Sequence, residues 1–117
     1  MVVGQRDDAR IDALFHALAD ATRRDIVRRS IGEEVSVSEL ARRYPMSLTA
    51  VQKHVAVLEA AGLVKKRRHG REQRVALQLK ALERARRLFD QYERLWRERF
   101  DRMGAVLNQD TNEGDER

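Results

Sequence analysis

Apolar residues along this 117-residue chain recur mainly at intervals of three and four, the period of amphipathic helices. Ile11, Leu14, Phe15 and Leu18 mark a first helix from Asp8 to about Ala19. Asp20 is placed to cap a second helix, Ala21 to about Ser30. Ile26, Val27 and Ile31 are its apolar residues, and Arg23, Arg24, Arg28 and Arg29 line its outer side. Gly32-Glu33-Glu34 reads as a turn. Val35-Ser36-Val37 fits either one short strand or an extended lead-in to Ser38.

From Ser38 to Val64 the pattern becomes two helices joined by a tight turn. Ser38 to Arg43 holds helix formers with Leu40 and Ala41 on the apolar side. Tyr44-Pro45-Met46 interrupts, because proline disfavours helical conformation in the residue before it. Ser47 is the expected N-cap of the next helix. In that helix Val51, Val55, Leu58 and Gly62 fall on one face, while Thr49, Gln52, Lys53, Ala56 and Glu59 fall on others. Gly62 is the expected stop. This is the plan of a helix-turn-helix, whose second helix lies in the DNA major groove.

Beyond Leu63 the period changes. Val64-Lys65-Lys66-Arg67-Arg68 leads into His69-Gly70, and Arg71 to Leu77 alternates, which predicts a basic hairpin with His69, Arg71 and Arg74 at or near its tip. A basic hairpin directly after such a helix is a wing, reaching phosphates or the minor groove. Leu79 to about Leu107 is one long helical pattern without proline. Leu82, Leu88, Phe89, Tyr92, Leu95, Trp96, Phe100, Met103, Val106 and Leu107 form its stripe, too wide for the domain's own core. We therefore expect a homodimer interface there, shared with the first helix through Phe15 and using Leu88, Tyr92, Leu95, Trp96, Phe100 and Met103. Residues 1–7 are expected as a loose arm, 8–107 as one winged-helix domain ending in a dimerisation helix (79–107), and 108–117 as a disordered tail. The expected class is mainly α (α+β), a winged helix-turn-helix of about five helices.

Charge sharpens this picture. Residues 41–74 carry nine Lys or Arg against Glu59 and Glu72, a net +7, while the flanking segments are −2 and zero. Concentrated positive charge on the helix-turn-helix and hairpin is the footprint of a nucleic-acid face. The chain has no cysteine, so disulfides and thiolate–metal sites are excluded within it. No stretch approaches the roughly 18 apolar residues of a membrane span. MVVGQRDDAR lacks a signal-peptide apolar run. A cytoplasmic protein that does not engage membranes is expected. No phosphate loop, metal-ligand cluster or nucleophile–base pair suggests an enzyme.

These residues resemble the ArsR/SmtB-type bacterial winged-helix transcriptional regulators. Leu18-Ala19-Asp20-Ala21-Thr22-Arg23-Arg24-Asp25-Ile26 is similar to that family's "LADPTRRxIL". Ser38-Glu39-Leu40-Ala41 and the run from Ser47 to Val64 resemble its "SxxAVSxHLxVLxxAGLV", and Arg67 to Arg74 its wing. Ala21 stands where proline is usual, and Gln52-Lys53 where Ser-Gln or Ser-Arg is common. The resemblance implies a homodimer joined by its first and last helices. It also implies binding to a two-fold symmetric double-stranded DNA operator, as a repressor released by an inducer. That inducer would be a small-molecule effector of unidentified chemistry. Neither familiar metal site is present: residues 37–42 hold no Cys or His, and residues 79–107 hold no His. His16, His54 and His69 each stand alone in their segments, so neither a metal nor another cofactor is expected.

Within the recognition helix, Gln52 and Lys53 are the expected base readers. Gln52 would pair with adenine and Lys53 with guanine, and Thr49 and Ser47 would be divided between bases and phosphates. Arg42, Arg43, His54, Arg68, Arg71 and Arg74 are the expected backbone or minor-groove contacts. His16, beside the first helix's apolar stripe, is expected as a partly buried, hydrogen-bonded histidine at the dimer interface. Two alternatives share the scaffold: a protein–protein module, and a DNA-organising protein without sequence preference.

Overall fold

Four short helices, a small sheet and one long C-terminal helix make up the fold. The structure is a computed structural model that describes the backbone of residues 5–111 and the side chains of residues 7–105. Helix α1 spans Gln5–Leu18 and α2 spans Ala21–Arg29. Strand β1 is Val35–Ser36, followed by α3 (Val37–Arg43) and α4 (Leu48–Ala60). Strands β2 (Val64–His69) and β3 (Glu72–Leu77) precede the long α5 (Leu79–Thr111).

Three helices begin on side-chain caps. Asp20 accepts from the Arg23 backbone N–H, Ser36 from that of Glu39 and Ser47 from that of Ala50. Each satisfies a donor that the first helical turn leaves orphaned, worth about 1 kcal/mol. Helix α4 stops on a Schellman arrangement. Gly62 has φ 79°, its N–H donates to Glu59 O at 3.0 Å, and Leu63 N–H donates to Leu58 O at 3.0 Å. That turn drops Leu63 and Val64 into the core at the start of β2.

The sheet runs β1-β3-β2, all antiparallel, with Val35 opposite Val75 and Val64 opposite Leu77. Leu14, Ile26, Leu40, Val51, Val55, Leu58, Leu63 and Val75 are fully buried together. Burying each such side chain is worth about 1.5–3 kcal/mol. Ala81 and Ala85, on the first turns of α5, close the same core.

Several boundaries differ from the expectations. Helix α1 already includes Gln5–Asp7, and residues 1–4 of the expected arm lie outside the described residues. Its polar first turn carries no apolar period, but Asp7 and Asp8 favour a helix N-terminus. Val37 opens α3 instead of extending the strand, since Ser36 caps there. Helix α5 runs to Thr111 and overlaps the expected tail, whose residues 112–117 lie outside the described residues. The chain divides after Ala85 into two units. Ile31 is exposed, because α2 ends at Arg29 and Ile31 lies past the Ser30 cap.

Candidate nucleic-acid interface

The recognition helix α4 presents what its sequence period dictates. Val51, Val55 and Leu58 are buried, while Ser47, Leu48, Thr49, Gln52 and Lys53 are exposed on its leading turns. The Ser47 oxygen is occupied as the cap, accepting from Ala50 N–H at 3.1 Å. Its hydroxyl hydrogen remains available to a phosphate or base.

The turn before α4 is tied down from behind. Tyr44 ends α3 with extended backbone, and its hydroxyl donates to Asp25 Oδ2 on α2 at 2.5 Å. Arg29 Nε donates to the same oxygen at 2.7 Å, and Arg28 donates to Asp25 Oδ1. The Tyr44 hydrogen bond, followed by Arg29 and Arg28, holds the Asp25 carboxyl down at about 2. Burial against this carboxylate pushes the Tyr44 hydroxyl up.

The wing is a two-residue hairpin. Gly70 takes φ 65°, which a two-residue turn of this kind requires, and His69 pairs with Glu72. An open groove of about 360 Å³ runs between wing and recognition helix, lined by Val37, Ser38, Leu48, Gln52, Arg68, Arg71 and Gln73. It joins the expected base reader Gln52 to the expected backbone contacts Arg68 and Arg71. Ser38 and Gln73 were not among the expected contacts. Both are polar residues in a fold-dependent position that no local motif marks.

Other expected contacts are placed differently. Arg74 is not at the wing tip: it sits within β3 opposite Arg67 and Ser36, and its Nε donates to Glu72 at 3.1 Å. Arg43 donates to Glu39 at 3.3 Å and lines a separate groove with Arg28 and Arg29. Arg42 is exposed. His54 is half-buried, with Nδ1 at 3.2 Å from Arg23 Nη1 and 3.9 Å from Asp20 Oδ2. Arg23 is therefore not an outer residue of α2; it packs inward. His16 is exposed on the single chain and falls outside the Leu14–Ala17–Leu18 face of α1. Among the described residues no group of three or more His, Cys, Asp or Glu could hold a metal ion.

On α5, Phe89, Tyr92, Leu95, Trp96, Phe100 and Met103 are 52–67% exposed, and Trp96 stacks on Phe100 with ring centroids 5.9 Å apart. Leu88 is half-buried, and Phe15 packs against the core of its own unit. The side chains of Val106 and Leu107 lie outside the described residues.

Residues 18–67 match a helix-turn-helix domain family. Over 67 residues the chain is 45% identical to the uncharacterized HTH-type transcriptional regulator YuzN of Bacillus subtilis, covering 51% of this chain and 73% of that one. Its fold superposes on the ArsR-like transcriptional regulator from Rhodococcus sp. RHA1 with a TM-score of 0.77 at 31% identity, covering 93% of this chain and 98% of that one. The chain belongs to the ArsR-type winged helix-turn-helix regulators. This ArsR-type chain is also 49% identical over 53 residues to the HTH-type transcriptional regulator Rv2034 of Mycobacterium tuberculosis, a match covering 45% of this chain. That match spans half the length of the Mycobacterium protein. Among the described residues of this regulator, no helix is long and apolar enough to cross a membrane.

Proposed function

We propose that this ArsR-type regulator is a cytoplasmic homodimer that binds a two-fold symmetric double-stranded operator as a repressor. The observation that carries the reading is the groove shared by Gln52, Arg68 and Arg71. It sets a side chain suited to base edges beside two suited to phosphates, on the segment with a net charge of +7. In this reading Gln52, Lys53 and Thr49 face bases. Arg42, Arg68 and Arg71 neutralise the backbone, and Ser47 donates from the helix start.

Dimerisation is supported by the aromatic stripe of α5. Contiguous exposed apolar side chains of this size mark association surfaces. One recognition helix per protomer then meets each half of a palindromic site. Release by a small-molecule effector belongs to the same reading.

The test is fluorescence anisotropy with DNA upstream of the protein's own gene, across a salt series, with a random duplex as competitor. Binding that survives the competitor and weakens steeply with salt is expected. Equal affinity for random DNA would instead favour a DNA-organising role, and no binding at low salt an interaction module.

A further inference from the structure

Arg23 links the last turn of α1 to the recognition helix α4. Its Nε donates to Ala17 O at 2.7 Å and its Nη2 to His16 O at 3.1 Å, both carbonyls of the last turn of α1. Its Nη1 lies 3.2 Å from His54 Nδ1 in the middle of the recognition helix. A guanidinium only donates, so in this contact Nδ1 is the accepting side. Asp20 completes the cluster: its Oδ2 accepts from the Arg23 backbone N–H at 3.0 Å and lies 3.9 Å from His54 Nδ1. One planar fork thus spans the end of α1 and the flank of α4. A lysine, with a single nitrogen, could not span both.

We propose that Arg23 is a positioning residue for operator reading: by joining the last carbonyls of α1 to His54, it fixes the rotation of α4 that presents Gln52 to the bases. His54 lies two residues beyond Gln52 on the same helix, so a small roll of α4 about its axis moves both together. Base-edge hydrogen bonds tolerate such a roll poorly, because their geometry is narrow. Phosphate contacts tolerate it well, being charge-based and flexible. Operator discrimination therefore depends on where α1 sits, and α1 becomes the route by which events elsewhere in the molecule reach the reading face. This inference rests on the proposed DNA reading and sharpens it.

The experiment compares wild-type protein with Arg23→Met, His54→Leu and the double variant. Each is titrated onto a duplex enriched by the wild-type protein from a random-sequence library, and onto a random duplex of equal length. His54→Leu leaves both α1 carbonyl bonds of Arg23 in place, so it decides the matter if Arg23→Met does not fold. The expected result is a fall in the enriched-to-random affinity ratio of about 5- to 160-fold, the discrimination of one base-pair contact. Random-DNA affinity changes little in Arg23→Met, and the double variant loses no more of the ratio than the single ones. A folded His54→Leu protein with an unchanged ratio would overturn the positioning role, including the case where both affinities fall together through a lost phosphate contact. Failure of the wild type to enrich any sequence would overturn the DNA reading beneath it.

Discussion

Tyr44, in the turn of the helix-turn-helix, donates its hydroxyl to the Asp25 carboxylate of α2 at 2.5 Å. This bond anchors the turn that aims α4. It also makes stability depend on acid, because the folded protein holds Asp25 at about 2, below its usual 3.8. A depressed carboxyl contributes fully above about pH 4, and its contribution is lost as pH falls toward 2. Asp25→Asn should cost on the order of 1–2 kcal/mol at pH 7. The gap to wild type should narrow between pH 4 and 2 in urea denaturation. A gap that stays constant across that range would show that Asp25 stabilises by some other route.

Gly62 ends the recognition helix with φ 79° and open space around its Cα. The cost of a side chain there is conformational, not steric. Gly62→Ala should lose about 1–2 kcal/mol, the left-handed penalty for an L-residue. Thermal melts would reveal it, and an unchanged midpoint would mean that the Schellman turn is dispensable.

Ala21 is the first residue of α2, directly after the Asp20 cap, where proline's fixed φ is already helical. Asp20 has φ −104° and ψ 133°, a conformation that accepts a following proline. Ala21→Pro should stabilise by about 0.4–1 kcal/mol through the unfolded state. A lowered melting temperature would contradict this.

The α5 stripe makes a prediction about assembly. Trp96 is 67% exposed and stacks on Phe100. Trp96→Glu should shift sedimentation from dimer to monomer at micromolar concentration, because a charge in the centre of an apolar interface is costly to desolvate. It should do so without unfolding the first unit, to whose buried core Trp96 does not belong. A dimer that persists in this variant would place the interface elsewhere.

Much of this was legible because it is local. Asp20, Ser47 and Gly62 act within four residues of themselves, so their capping roles follow from type and spacing. The period of Val51, Val55 and Leu58 gave the buried face of α4, and so its exposed face. What escaped depends on residues brought together by the fold. Arg23 counted as a surface arginine by its place on α2, but its partners are carbonyls six and seven residues back and a histidine 31 residues ahead. Tyr44 and Asp25 are 19 residues apart. Sequence proximity places Arg74 at or near the wing tip, and strand register sets it beside Ser36. Ser38 and Gln73 lack any marking pattern and meet only across the groove.

Gln52 is proposed to read bases while Arg71, across the same groove, neutralises phosphate. The most direct measurement is the affinity of Gln52→Ala and Arg71→Ala for an enriched operator and a random duplex at several salt concentrations. Gln52→Ala should lose about 1–3 kcal/mol on the operator and little on random DNA, whereas Arg71→Ala should weaken both and lower the salt slope by about one. Equal losses on the two DNAs for both variants would contradict the account.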